Sequence, residues 1–350
     1  MNDHFAVLEA GMQPIQEIVD VLIIGAGLCG VTAARSLTTG ENKQSWKLID
    51  KSRSVGGRMA TRRIEDARFD HGAQFFTVRS EAFKAEVDNW LKQGACKEWV
   101  RGFGDSLDDG HPRYVGTNGM NQVVKEFAAP LPQKNIALNE KIIDVELIDG
   151  FIASTSESGA KFFSKKLVLT SPLTQSTAMM AKFTLDQKLA NILAQLSGIV
   201  YDPCIALMGF FDPEELPLDK FPAKSMNAPL AFVADNFSKG LSGKKASLTV
   251  HLSSEASHGL FTANDSVVVD FVCHELRRHF HLKKVTRPTT VEVHRWRFAT
   301  PKTTIQEPYL SWSGPNGLAI YFAGEAFGGP KIEGAYLSGL AVGKALAAEG

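Results

Sequence analysis

Residues 19–30 read VDVLIIGAGLCG, and the fold turns on this stretch. The apolar, β-branched run at 19–24 suits a strand buried on both faces. It passes directly into Gly25, Gly27 and Gly30, spaced G-x-G-x-x-G, and residues 31–37 (VTAARSL) then read as a helix. Trp46–Asp50 is the next strand, which makes the first fifty residues a β-α-β unit. In such a unit Gly25 permits the tight turn, Gly27 lets the backbone approach a pyrophosphate, and Gly30 allows the helix to pack closely on the strand. The free N–H groups at the helix start, with about half a positive charge from the dipole, bind phosphate. Asp50, 20 residues beyond Gly30, ends the second strand, where a carboxylate accepts hydrogen bonds from ribose hydroxyls and repels a 2′-phosphate.

Working outward, residues 81–91 and Met120–Ala128 read as helices, the latter after the turn signal Thr117-Asn118-Gly119. Residues 135–170 alternate short apolar runs with Asp-Gly and Ser-Gly turns, which predicts a small antiparallel meander ending in a buried strand at 167–170. From 173 to 290 the texture changes: helices at 184–197 and 264–281 flank strands near 204–211, 230–234 and 246–252, without glycine-rich phosphate loops. The last sixty residues return to the first style, with a strand at 318–323, a glycine-rich loop at 324–334 and a small-residue helix at 335–348. The pattern predicts an α/β protein whose Rossmann-like nucleotide domain is discontinuous (19–80, 111–172 and 291–350). An α+β substrate or cap domain (81–110 and 173–290) is inserted into it.

The 38 basic and 38 acidic side chains of the 350-residue chain cancel, so no global field gathers nucleic acid or an anionic membrane surface. Residues 1–18 lack a basic start followed by an apolar core, and no stretch approaches the roughly 20 apolar residues that span a bilayer. A cytoplasmic protein is the expectation. Cys29, Cys96, Cys204 and Cys273 lie far apart without a C-x-x-C pair, as free buried thiols do. His274, Glu275, His279 and His281 are close in sequence, but an HExxH zinc site would need histidine at Arg278; a polar helix face accounts for them and no metal is expected.

NAD and FAD both use the opening turn. Val55-Gly56-Gly57-Arg58 follows Asp50 closely and adds flexible backbone with a guanidinium that holds phosphate oxygens in a fixed fork. Asp50-x5-Gly56-Gly57-Arg58, after that glycine turn, resembles the amine-oxidase-like FAD superfamily. Residues 321–325 (YFAGE) and 331–339 (KIEGAYLSG) support the resemblance independently. The resemblance implies a two-dinucleotide-binding-domain FAD fold built from both chain ends. In it Glu325, after Gly324, would bind the flavin ribityl chain, and the helix start around Glu333, Gly334 and Ala335 would face the pyrimidine end. No cysteine lies in this segment, so the FAD is expected to be noncovalent. The same resemblance assigns further cofactor contacts to Ala26, Cys29, Lys51, Met59, Gly72, Ala73 and Ile142.

Within the superfamily, residues 70–77 (DHGAQFFT) are most similar to the renalase branch, as are Asp235-Asn236, 248–251 (LTVH) and 294–299 (HRWRFA). Gln74 and Phe75 would approach the flavin ring, and Asn236, His251 and Trp296 would line its substrate side. Each has an ordinary alternative: His251 and Trp296 as core residues, Asn236 as the opening of a turn. The implied activity is an FAD-dependent oxidation of isomeric (2- or 6-) dihydro-NAD(P) to NAD(P)+, with O2 reoxidising the flavin to give hydrogen peroxide. Aromatisation drives hydride departure, so positioning the ring supplies much of the catalysis. Three other readings stay open: an amine oxidase framing a small primary or secondary amine with an aromatic pair such as Trp296 and Tyr336, a desaturase with an apolar tunnel, and a non-catalytic binding protein stabilised by FAD.

Overall fold

The computed structural model describes residues 18–40, 43–103, 110–183, 186–224 and 229–349. The opening apolar run forms the strand Ile18–Ile24, with Val21, Leu22 and Ile23 wholly buried because parallel neighbours flank it on both sides. One neighbour is Trp46–Asp50 and the other is the C-terminal half of Lys161–Leu169. The sheet continues through Ile136–Leu138 beyond Trp46–Asp50, and through Ala319–Phe322 and then antiparallel Leu310–Ser313 beyond Lys161–Leu169. The meander is thus shorter than the turn signals predict. Ile142–Ile148, Phe151–Ser156 and the first half of Lys161–Leu169 form it, whereas Ile136–Leu138 joins the parallel sheet.

This topology brings Gly25, Asp50, Thr170 and Gly324 to one place. Each follows or ends a parallel strand at the carboxyl edge of the sheet, where open α/β sheets bind their ligands. The two chain ends are clasped behind that edge. The helix Leu28–Thr39 lies against the helix Ile332–Ala348 so closely that a Cβ on Gly339 would come 2.3 Å from the carbonyl oxygen of Cys29, and one on Gly343 2.6 Å from Ser36 Cβ. Among the described residues, no helix is long and apolar enough to cross a membrane.

A second sheet, antiparallel throughout, runs in the order Ala223–Lys224, Leu230–Asp235, Ser247–Leu252, Tyr201–Phe210, Val291–Pro301. Period-two alternation gives it two faces. Ile205, Leu207, Leu248 and Val250 pack on Val268, Val272 and Leu276 of the helix Asp265–His279. The opposite face turns Phe232, His251, His294 and Trp296 toward the first sheet's domain.

Two segments depart from the expected division. The helix Glu81–Lys92 buries Phe83, Val87 and Trp90 in the same core as Val21, Ile23 and Val342, so 81–103 packs with the nucleotide layer. Conversely, Val291–Pro301 pairs along Tyr201–Phe210 and belongs to the second sheet, not to the returning nucleotide segment. Periodicity cannot say which sheet a strand will join. The helix expected at 184–197 is Gln187–Ser197, started by the Asp186 carboxylate accepting from the Leu189 N–H at 2.8 Å; residues 184 and 185 lie outside the described residues. The helix expected at 264–281 spans Asp265–His279.

Candidate functional site

A cleft of about 920 Å³ runs from the glycine turn and Asp50 to His71, His294 and Trp296 on the face of the second sheet. At its first end Gly25 has φ +109°, and a Cβ there would strike Thr170 Oγ1 at 2.5 Å; that hydroxyl donates to the carbonyls of Ile24 and Gly25. A Cβ on Gly30 would lie 1.9 Å from the Gly25 carbonyl oxygen. Gly27 differs. Its backbone is ordinary (φ −73°, ψ −178°) and its Cβ would meet no atom nearer than Gly57 Cα at 4.0 Å. The protein itself does not need glycine at 27, so the space is shaped for something else. The helix that starts there has no side-chain cap and no acidic residue in its first turn, although Leu28, Cys29 and Gly30 are buried. Buried donors without partners call for an acceptor, and an anion at this spot satisfies both charge and hydrogen bonding.

Asp50 is fixed by the same turn. Its carboxylate accepts from the Ala26 N–H at 2.6 Å and the Ser52 N–H at 2.7 Å, leaving further lone pairs toward the cleft. Lys51 is exposed beside it on the cleft wall. Ile142 is buried nearby, and the Glu140 N–H donates to the Asp50 carbonyl, which ties the meander to this end. Gly56, Gly57 and Met59 wrap the turn through the Gly56 N–H to the Ala26 carbonyl, and Met59 is buried.

Midway, Arg58 forms an ion pair with Glu325 and reaches the carbonyls of Phe298 and Ala299 at 3.4 and 3.3 Å. The second carboxylate oxygen of Glu325, Oε1, is buried with no partner. A hydroxyl-bearing chain laid along the cleft would supply the missing donor. The open space at Gly27, the uncapped helix start and this orphaned oxygen therefore fit a dinucleotide with a polyol segment, as FAD has.

Of residues 70–77, His71 lines the far end; the segment is held there because the His71 and Ala73 N–H groups bond to the carbonyls of Ala60 and Arg58, and a Cβ on Gly72 would sit 1.9 Å from the latter oxygen. His71 stacks on Trp296 (5.3 Å, 16°) and meets His294 edge-on at 4.6 Å; its carbonyl accepts from the Trp296 indole at 2.8 Å. Phe75 packs on Phe103 and Phe232. Phe232, His251, Ala206 and His294 stand in one row across the second sheet.

Behind this row lies a buried ion pair. Lys239, wholly buried, donates to Gln74 Oε1 at 2.8 Å and lies 3.5 Å from Asp70 Oδ2 and 5.0 Å from the Trp99 ring centre. Asp70 Oδ1 accepts from the Thr61 hydroxyl at 2.6 Å and the Met120 N–H at 2.8 Å. With its oxygen held by Lys239, Gln74 presents its NH2 group to the Asp70 and Gly72 carbonyls and to His251 Nε2 at 3.3 Å. His251 Nε2 must then accept, so its ring proton sits on Nδ1. Burial first, and the Lys239 charge second, lower the His251 pKa to about 4. Burial, with His294 and Arg62 nearby, lowers that of His71 to about 3. Both rings are neutral at pH 7.

Some expected residues sit otherwise. Asn236 is wholly buried with its NH2 group on the Ser247 carbonyl and Thr249 Oγ1, both at 2.9 Å, while its Oδ1 has no partner. Glu333 turns away from the cleft, its oxygens accepting from the Arg79 and Ser80 N–H groups at 3.0 and 2.6 Å. The C-terminal helix begins at Ile332, three residues before the expected start. The Ala335 N–H is therefore already bonded to Lys331, and a Cβ on Gly334 would lie 2.1 Å from the Gly329 carbonyl oxygen. Tyr336 is buried against Phe83, Trp90 and Phe127, so it does not pair with Trp296. Sequence reasoning gave no role to Lys239, which a turn conceals, nor to His294 within the stretch 294–299, which the alternation Glu292, His294, Trp296 could have flagged.

The flavin containing amine oxidoreductase family matches residues 85–346, and the NAD(P)-binding Rossmann-like domain matches residues 23–89. A protein provisionally assigned as a protoporphyrinogen oxidase, from Exiguobacterium sp. 255-15, has a similar structure (TM-score 0.69, 13% identity, covering 97% of this chain and 100% of that one). So does putrescine oxidase bound to putrescine (TM-score 0.61, 14% identity, covering 95% and 99%). Such distant likenesses speak to the fold alone, but the family match covers most of the chain, including Glu325 and nearly all of the clasped C-terminal helix, while the Rossmann-like match takes in the glycine turn and Arg58. The chain belongs to the flavin containing amine oxidoreductase family.

Proposed function

We propose that this protein binds FAD noncovalently along the cleft and is a renalase-like oxidase of isomeric (2- or 6-) dihydro-NAD(P). The observation that carries the reading is the charge around the cleft: of nine basic residues lining it, Arg58, Arg62 and Arg295 are paired with Glu325, Glu292 and Asp265, which leaves six (Lys51, Arg53, Arg63, Arg68, Lys125, Arg297) against Asp50. Such a lining disfavours a cationic amine and favours a substrate that carries phosphates. The separation of Tyr336 from Trp296 argues the same way, since the aromatic pair that would frame an amine is not assembled from them.

FAD, when bound, supplies a hydride acceptor that O2 returns to the oxidised state with release of hydrogen peroxide. The chain's own residues do the placing. Gly25, Gly27 and Gly30 with the helix start hold the pyrophosphate, Asp50 the adenosine ribose, and Arg58 and Glu325 the middle of the cofactor. His71, neutral and stacked on Trp296, closes one wall of the substrate space, and His251, with its Nδ1 proton set through Gln74, stands on the same face of the second sheet as Trp296. Asn236, wholly enclosed by the second sheet and its turn, supports this face from behind rather than touching a ligand. None of these groups must act as a strong base, because loss of hydride from a dihydropyridine needs no proton abstraction at carbon.

Anaerobic mixing of the FAD-loaded protein with 2- or 6-dihydro-NAD(P) tests the reading. Bleaching of the flavin band within seconds, then peroxide formation on admitting O2, is expected. Bleaching by small amines with inertness toward the dihydronucleotides would overturn it in favour of an amine oxidase.

A further inference from the structure

The strands Thr61–Ile64 and Ala67–Asp70 form a short antiparallel hairpin leading straight into Asp70 and His71. Its register sets Arg63 directly opposite Arg68. Directly opposed residues project from the same face of a hairpin, and two like charges there are mutually unfavourable. The hairpin's own carboxylates do not relieve them. Glu65 accepts from Lys244 at 2.8 Å and from the Thr290 hydroxyl at 2.7 Å, and Asp66 lies 3.8 Å from the same Lys244. Arg62 is paired with Glu292. Among the described residues, Arg63 and Arg68 have no carboxylate within ion-pair distance, and both line the cleft.

Two guanidiniums held side by side make a poor structural device and a good anion receptor, because each offers a planar fork of donors to phosphate oxygens. Arg68 is half-buried and its backbone is anchored by its N–H to the Leu241 carbonyl at 2.8 Å, which fixes one side of the pair. We propose that Arg63 and Arg68 form a phosphate subsite at the cleft mouth, which takes the pyrophosphate of the substrate while its ring lies against His71 and Trp296. The proposal rests on the reading above for the molecule that carries the phosphates; the anion site itself does not depend on it.

The test is calorimetric titration of the FAD-loaded protein with inorganic pyrophosphate, with ADP and with phosphate-free nicotinamide riboside, for the wild type and for Arg63→Gln/Arg68→Gln. Pyrophosphate and ADP should each bind about tenfold or more weakly to the double variant, with the riboside unchanged. Equal binding of pyrophosphate to both proteins overturns the subsite, and so does a loss for pyrophosphate with none for ADP, since a nucleotide's phosphates would then lie elsewhere. If the double variant fails to hold FAD, the exposed Arg63→Gln alone carries the test, with a fall of severalfold expected and no fall refuting. Absence of flavin bleaching by dihydro-NAD(P) would refute the oxidase reading without touching this titration.

Discussion

Lys239→Met keeps the length and much of the volume of a wholly buried side chain and deletes its charge. What remains is Asp70, equally buried, with Oδ1 bonded to Thr61 and Met120 and with Oδ2 deprived of the only cation near it among the described residues. Breaking a buried pair from one side leaves an uncompensated charge and destabilises by about 3–5 kcal/mol, whereas removing both charges is far milder. Urea unfolding of the apoprotein, followed by tryptophan fluorescence, should show that full loss for Lys239→Met. It should also show recovery of about 2 kcal/mol or more in Asp70→Asn/Lys239→Met, because the asparagine oxygen still accepts from Thr61 and Met120. A second consequence concerns Gln74, whose oxygen Lys239 holds at 2.8 Å. Released, the amide can rotate and offer that oxygen to His251, favouring a proton on Nε2. Removing the positive charge should also raise the His251 pKa from about 4, while burial, its larger cause, keeps it below 6.5. Nitrogen-15 NMR of the histidine rings reads both changes. A variant within about 1 kcal/mol of wild type whose His251 resonances do not move would refute this account of the pair.

Other substitutions separate packing from ligand binding. Gly27→Ala should leave apoprotein stability within about 1 kcal/mol while FAD affinity falls at least about tenfold; Gly30→Ala, whose Cβ would lie 1.9 Å from a carbonyl oxygen, should lose about 3 kcal/mol or more before any cofactor is added. Comparable apoprotein stabilities for the two variants would contradict the assignment of Gly27 to the ligand. Glu333→Ala should loosen the start of the Glu81–Lys92 helix by about 1–2 kcal/mol with flavin retained, and loss of flavin at unchanged apoprotein stability would return Glu333 to the cofactor. The folded-state pKa values of about 3 for His71 and about 4 for His251 lie below the unfolded value of about 6.5, so the unfolded chain takes up protons that the folded chain refuses. Stability is then full above pH 6.5 and falls toward pH 4, by up to about 1.4 kcal/mol per pH unit for each ring. His71→Gln should flatten that fall, and an unchanged acid limb would exclude His71 as a cause.

The glycine-turn end of the cleft was legible in the sequence because its geometry is local: Gly25, Gly27, Gly30 and Asp50 lie within one β-α-β unit, and their spacing sets their placement. Arg58 and Glu325 are far apart in the chain, yet each sits in a recognisable glycine-rich segment. The far end, at His71, His294 and Trp296, was harder to read. Which face of a strand looks into a cleft depends on which sheet it joins, and Val291–Pro301 joined the one that periodicity did not indicate. The partner of a buried charge is likewise a tertiary fact: Lys239 meets Asp70 across 169 positions of sequence. Glu333 shows the reverse error. A carboxylate in a motif segment reads as a ligand contact, but rotation along a helix that begins three residues early turned it onto the Arg79 and Ser80 amides.

The clasp between Leu28–Thr39 and Ile332–Ala348 bears on how the chain reaches this state. Ala319–Phe322 pairs with Lys161–Leu169, and the final helix seats Gly339 on Cys29, about three hundred residues away. Contacts so distant in sequence form slowly. On the ribosome, the first helix emerges with its Cys29, Ala33 and Ser36 face uncovered, and it stays so until Ile332–Ala348 has been made. Completion of the layer behind the glycine turn therefore waits on that distant segment, and the waiting face is where a chaperone would act.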